Sequence, residues 1–210
     1  MKTIFWNVDT QYDFMRSDDS FKGTLPVEGA RSIEPNLEKL TELAENEDIK
    51  VVNSADWHNK DSAEFSDEPN YQTTFPPHCL TETKGADYVP STQPKDAYKV
   101  DWQQESVDAK AVTNTRNIVL YKDAFDVFEG NPHTEEVLST IAPDRAIVYG
   151  VATNVCVDFA VQGLLERGVE VYVPTDAIKE LPGLPLEATL DAWQQAGALL
   201  TTTDEVSNYI

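Results

Sequence analysis

The sequence predicts an α/β protein built on a doubly wound parallel sheet of about six strands, with helices on both faces. Short apolar, β-branched runs recur along the chain, longer stretches with helical spacing lie between them, and glycines follow two of those stretches. TIFWNVD (3–9), IKVVNSAD (49–56), NIVLYK (117–122), RAIVYGV (145–151) and VEVYVP (169–174) read as buried strands. A shorter run, ALLTT (198–202), supplies a sixth. Between them, SIEPNLEKLTELAENE (32–47), PHTEEVLSTI (132–141), VCVDFAVQGLLERG (155–168) and PLEATLDAWQQAG (185–197) carry apolar residues three and four apart, as amphipathic helices do. Gly168 and Gly197 stand just past the last periodic residues, where a left-handed C-terminal cap is expected. Strand–helix–strand connections of this kind cross over right-handed.

The stretch from about 57 to 116 breaks the rhythm. It is rich in proline, polar residues, Trp and Tyr, without a clear period. So long a segment inside a compact domain is usually functional or mobile. Loops with a short hairpin, folded over one end of the sheet, are expected there. No internal repeat or low-complexity tract interrupts the chain, and 210 residues suit one domain spanning 1–210 around one sizeable core.

Composition narrows the partners. A hydrophobic share of 40% is that of a globular protein, but 16 basic against 37 acidic residues gives 16 − 37 = −21. Such a surface repels phosphate backbones and anionic lipid, so neither nucleic acid nor membrane is an expected partner. Acidity of this kind serves solubility, or a saline cytoplasm. The opening MKTIFWNVD reaches an aspartate after one apolar run too short for an export segment or a membrane span. Two cysteines, Cys79 and Cys156, make no disulfide framework, and a reducing cytoplasm is the expected location.

In open α/β sheets, ligands bind beyond the carboxyl ends of the strands. The predicted strands end in Asp9, Asp56 and Lys122, and Cys156 lies just past a fourth. At a helix start, a cysteine sulfur faces the positive end of the dipole and free N–H groups, which favours thiolate and could form an oxyanion hole. The alternative is a small buried hydrophobe, the fate of most free cysteines. A carboxylate such as Asp9 can take the thiol proton and return it to a leaving amine, while Lys122 stabilises both anions. An ion pair at the sheet edge is the simpler reading of those two.

A second constellation surrounds Asp56. Only three histidines exist in the chain, and two of them, His58 and His78, lie in or near the segment that follows this carboxylate. Asp, His and His make a three-ligand metal set that leaves positions open for water or substrate, with Glu64 or Glu68 as a fourth ligand. His133, in NPHTEE, sits at a helix start and reads as structural. No G-x-G pair and no G-x-S-x-G elbow is present, which disfavours nucleotide-dependent and serine-hydrolase chemistry.

These residues resemble the isochorismatase-like cysteine hydrolases, and within them the nicotinamidases. VDTQYDF (8–14) resembles the family's opening D-x-Q-x-D-F, and SADWH (54–58) with FPPHC (75–79) its metal segments. KDAFDVF (122–128) resembles its lysine segment and GVATNVCV (150–157) its nucleophile segment. The resemblance implies a catalytic triad of Asp9, Lys122 and Cys156, with Asp56, His58 and His78 holding a zinc, iron or manganese ion. It implies a cis peptide at Val151–Ala152, so that the amides of Ala152 and Cys156 face the oxyanion. It implies an aromatic pocket of Phe14, Phe75 and some of Trp57, Phe125 and Phe128. The chain departs from the family at Asn59, where Pro often follows D-W-H, and at Ser62 and Glu64, where a further His and a Ser are frequent. It departs again at Phe75, where Trp is frequent, and at Glu82, where Gly is frequent.

The implied activity is hydrolysis of nicotinamide to nicotinate and ammonia through a thioester, a step of NAD salvage, by a homo-oligomer. Another small amide or ureido compound is the alternative substrate. A non-haem iron oxygenase would leave Lys122 and Cys156 unexplained, and a binding protein without turnover would leave the whole triad unexplained.

Overall fold

The computed structural model describes residues 1–210. Its central sheet is parallel throughout and starts from β1 (Thr3–Val8) in the middle. On one side β1 pairs with β4 (Val51–Asp56), then come β6 (Asn117–Lys122) and β5 (Tyr98–Val100) at the edge. On the other side lie β7 (Arg145–Val151), β8 (Glu170–Pro174) and β10 (Leu199–Thr201). An eighth strand, β9 (Ile178–Lys179), pairs with the end of β7. The six predicted strands are all present; the sequence reading lacked β5 and β9, which are too short to show a pattern. β2 (Ser17–Asp18) and β3 (Phe21–Lys22) form a separate antiparallel hairpin.

Alternation of side chains divides the interior into two cores. Ile4, Trp6 and Val8 of β1 point to one face with Val148, Ile118 and Leu120, while Phe5 points to the other with Val51, Ile147 and Tyr149. The first face is covered by α3 (Ala109–Asn114), α4 (Val127–Gly130), α5 (Thr134–Ile141), α6 (Cys156–Glu166) and α7 (Leu186–Ala196). The second is covered mainly by α2 (Glu34–Asn46), which buries Leu37, Leu40 and Ala44 at helical spacing and has Pro35 in its first turn. α6 buries Cys156, Val157, Ala160, Val161 and Leu164, and each of its buried valines and leucines contributes roughly 1.5–3 kcal/mol. Gly168, after α6, and Gly197, at the end of α7, take φ of +75° and +106°, the left-handed caps the sequence predicts.

The 57–116 region is mostly loop, and it contains no antiparallel hairpin of its own. The chain's hairpin is the β2–β3 pair, which follows α1 (Tyr12–Met15). Three isolated bridges pin the region instead: His58 with Leu80, Phe65 with Phe75, and Gln11 with Tyr88. No helix is long and apolar enough to cross a membrane.

Candidate active site

The chain order reverses beside β1, because β4 and β7 leave it in opposite directions. That switch point opens a crevice at the strands' carboxyl ends. Asp9 follows β1, Asp56 ends β4, and Lys122 ends β6 directly beside it in register. Cys156 is the first residue of α6, reached from β7 through the cis peptide Val151–Ala152.

The Lys122 ammonium is almost wholly buried and is the hub of the site. Its Nζ makes an ion pair with Asp56 Oδ1, lies 3.1 Å from Asp9 Oδ2, and donates to the Ala124 carbonyl at 3.0 Å. The Cys156 sulfur is 3.8 Å away. Asp9 Oδ1 accepts a 2.7 Å hydrogen bond from Ser54 Oγ, which fixes the carboxylate plane. The backbone amides of Ala152 and Cys156 have no hydrogen-bond partner within the protein.

Electrostatics sort these groups. Burial opposes the charge on Lys122, yet Asp56 and Asp9 outweigh it and keep the amine protonated. Burial also opposes ionisation of Asp56, but Lys122 and the two histidines hold it well below the usual carboxylate range. For Asp9 burial wins over Lys122, and its carboxyl is raised. Burial likewise pushes the Cys156 thiol well up, with Lys122 opposing. The helix start and Lys122 favour the thiolate the sequence leads one to expect, and the water-poor setting opposes it. The same burial raises the proton affinity of the Asp9 carboxylate, the acceptor beside the sulfur.

Asp56 turns its other oxygen toward the histidines. Oδ2 lies 3.5 Å from His58 Nε2 and 3.6 Å from His78 Nε2, and one donor atom from each of the three lies within 4.8 Å of the others. Donors about 2.0–2.1 Å from a tetrahedral ion stand about 3.3 Å apart, so the group needs little movement to close on one. Two buried atoms without hydrogen-bond partners face the same point: His58 Nε2 and Glu64 Oε2, 3.8 Å apart. The outer nitrogens are both occupied, His78 Nδ1 with the Pro76 carbonyl at 2.8 Å and His58 Nδ1 with Asp123 Oδ1. Asp56, His58, His78 and Glu64 therefore fit a divalent cation. Glu68 is exposed and stands outside the Asp56–His58–His78 group, and His133 bonds the Gln104 carbonyl, as a structural residue would.

A small, mostly apolar pocket lies above Cys156. Phe14, Phe75 and Phe125 line it with Asp56, His78, Ala152 and Cys156. Trp57 and Phe128 do not. Trp57 stacks on Tyr121 with ring centroids 4.2 Å apart, and Phe128 stacks on Trp6 in the core. Strand alternation and helix packing turn both rings away from the crevice.

Sequence reasoning missed Leu25, Val27, Val151, Val155 and Leu181, the aliphatic part of the wall. It also left Gln11 and Asp13 without roles. The Gln11 amide grips the Asp56 backbone from both sides, donating to its carbonyl at 2.7 Å and accepting from its N–H at 2.8 Å. Asp13 accepts from the N–H groups of Cys79 and Thr24, at 2.7 and 3.1 Å, and ties the His78 loop to the pocket rim. Gly85 is needed beside it, since a Cβ there would lie 2.1 Å from Asp13 Oδ2. Glu82, where glycine is frequent in the family, adopts φ +61° in the left-handed region.

Comparison with known proteins agrees with this layout. The sequence profile of the isochorismatase domain matches residues 3–205. The nicotinamidase/pyrazinamidase of Mycobacterium tuberculosis is 28% identical over 174 residues, covering 80% of this chain and 82% of that protein. The nicotinamidase of Escherichia coli is 25% identical over 189 residues, covering 82% and 80%. The crystal structure of Pyrococcus horikoshii pyrazinamidase in complex with zinc superposes with a TM-score of 0.75 at 23% identity, over 96% of this chain and 99% of that one.

Proposed function

The chain belongs to the isochorismatase domain family of hydrolases, and from that premise we propose that it is a metal-dependent cysteine amidohydrolase converting nicotinamide to nicotinate and ammonia. One observation carries the reading: Lys122 holds Asp9, Asp56 and Cys156 around one ammonium, at the foot of a small apolar pocket whose wall includes His78. The names of the two relatives support the substrate. The reaction would feed NAD salvage.

Asp9 takes the Cys156 proton as the sulfur attacks the carboxamide carbon, and the carbonyl electron pair moves to oxygen. The amides of Ala152 and Cys156 receive that oxyanion, each worth roughly 3–4 kcal/mol. Lys122 balances the negative charge that passes between Asp9 and the sulfur. Collapse of the tetrahedral adduct expels ammonia, which carries away the proton from Asp9, and leaves a thioester. Asp9 then takes a proton from water as its oxygen attacks the thioester, and returns it to the departing sulfur. Phe14, Phe75 and Phe125 exclude bulk water and flank an aromatic ring. Asp56, His58 and His78, with Glu64, would hold zinc, iron or manganese, which supplies a Lewis-acidic point for the ring nitrogen.

The test is ammonia release from nicotinamide by purified protein, with chelator and then zinc added back. Release that chelator abolishes and zinc restores supports both constellations. No release, with Cys156 still alkylated by iodoacetamide, moves the substrate to another small amide or ureido compound.

A further inference from the structure

We propose that Asp123 is a positioning residue for the metal group, holding His58 in the tautomer whose Nε2 faces Asp56 and His78. The inference rests on the metal-dependent reading above. It starts from two consecutive residues at the end of β6 that serve opposite sides of the site. Lys122 turns inward to Asp9 and Cys156, and Asp123 turns outward to the back of His58.

Asp123 Oδ1 bonds His58 Nδ1 and also accepts a 2.7 Å hydrogen bond from Ser62 Oγ, which itself lies 3.2 Å from Nδ1. Ser62 spends its hydrogen on the carboxylate, so the hydrogen between His58 and Asp123 must come from the ring. The imidazole is fully buried, and no water competes for that nitrogen. In the neutral ring that arrangement places the lone pair on Nε2, which has no hydrogen-bond partner within the protein. The Asp123 backbone is anchored by its N–H to the Gly130 carbonyl at 3.1 Å, so the carboxylate approaches from a fixed direction. Its side chain is 22% exposed, and water on the outer edge spares it full desolvation.

His78 makes the contrast. Its Nδ1 meets a neutral acceptor, the Pro76 carbonyl, which fixes the same tautomer without charge. An anionic partner makes His58 the stronger donor of the two, and outer-shell partners of this kind are worth about 10–100-fold in metal affinity.

The experiment titrates zinc alone into metal-free, full-length protein against a chromophoric chelator, at one pH, for the unaltered chain, Asp123→Ala, Asp123→Asn and Ser62→Ala. Asp123→Ala is expected to weaken zinc binding about 10–100-fold. Asp123→Asn, whose amide oxygen still accepts from the ring, recovers part of that loss, and Ser62→Ala costs a few-fold. A merely structural contact would lower the melting temperature of the metal-free protein and leave zinc affinity within twofold, which overturns the proposal. If Asp123→Ala does not fold, the isosteric Asp123→Asn decides by the same measure: weaker zinc binding supports the proposal and unchanged binding overturns it. An unaltered chain that binds no zinc overturns the metal reading together with it, whereas equal binding by all variants overturns only the role of Asp123.

Discussion

Cys156 opens α6 at the end of β7, whereas Cys79 closes the FPPHC stretch on the loop that carries His78. Both are free and buried, and burial pushes both thiols well above their ordinary range. The next influence on each separates them. For Cys79 it is the Asp56 and Asp13 carboxylates, which push its thiol further up, and for Cys156 it is the Lys122 ammonium, which pulls back. The only hydrogen-bond partner of the Cys79 sulfur is the Gly85 carbonyl, at 3.9 Å, and Cys79 does not line the pocket that Cys156 floors. Burial and helix position are poor markers of a nucleophile by themselves. A cation, a proton acceptor and an opening around the sulfur are the better ones.

The largest break in that comparison is Cys156→Ala. Turnover of nicotinamide should fall at least about 10⁴-fold, the scale of losing a catalytic nucleophile, with zinc content unchanged. Ammonia assays and metal analysis read both, and surviving turnover would sink the thioester route. Lys122→Met comes next. Turnover should drop about 10²–10⁴-fold, and two buried carboxylates left without their cation should cost about 3–5 kcal/mol in denaturant unfolding. A Lys122→Met protein as stable as the unaltered chain would remove the hub assigned to this amine.

The strand-end region was the more legible of the two because regular structure converts position into direction. A run such as NIVLYK announces its length and its end, and the switch-point rule says where Lys122 must point. Asp9, Asp56, Lys122 and Cys156 followed from that alone. The loop region offers no such rule. His58 and His78 stood out by rarity, but Asp123 lies one residue beyond a strand and its partner Ser62 sits sixty-one residues away in sequence. Trp57 and Phe128 show the same limit from the other side, since an aromatic residue near a motif carries no sign of which way its ring turns. The balance of influences on the Cys156 thiol was illegible for a different reason: desolvation depends on everything packed around the sulfur.

A smaller effect sharpens the loop side. In metal-free protein burial opposes a charged His58, but Asp123 and Asp56 outweigh it and raise its pKa to about 9. A raised histidine stabilises the fold fully below its ordinary 6.5, and that contribution is lost as pH climbs to about 9, roughly 3 kcal/mol in all. Glu64, raised to about 7 by burial and then by Asp56, acts in the same direction from about 4.5 upward, because the folded chain holds its proton longer than the unfolded one. The melting temperature of metal-free protein should therefore decline between about pH 5 and 9. Zinc affinity should rise across the upper part of that window, as the cation no longer has to displace a proton from His58. Thermal scans and chelator competition at several pH values check both, and a metal-free protein that grows more stable toward pH 9 contradicts the arrangement.

The smallest expected effect is the one that tests the comparison most directly. Cys79→Ala keeps the Cβ and the backbone N–H that Asp13 accepts from, and removes only a sulfur whose sole hydrogen-bond partner is a carbonyl at 3.9 Å. Turnover and zinc content should stay within about twofold, with a stability cost near 1 kcal/mol for the small gap left in the core. Iodoacetamide should modify the unaltered chain once, at Cys156, and leave Cys156→Ala unmodified, because Cys79 has no exposed surface. Nicotinamide turnover lost in Cys79→Ala with zinc retained would mean that the loop cysteine, and not the strand-end one, attacks the substrate. The cation and the opening beside Cys156 would then need another explanation.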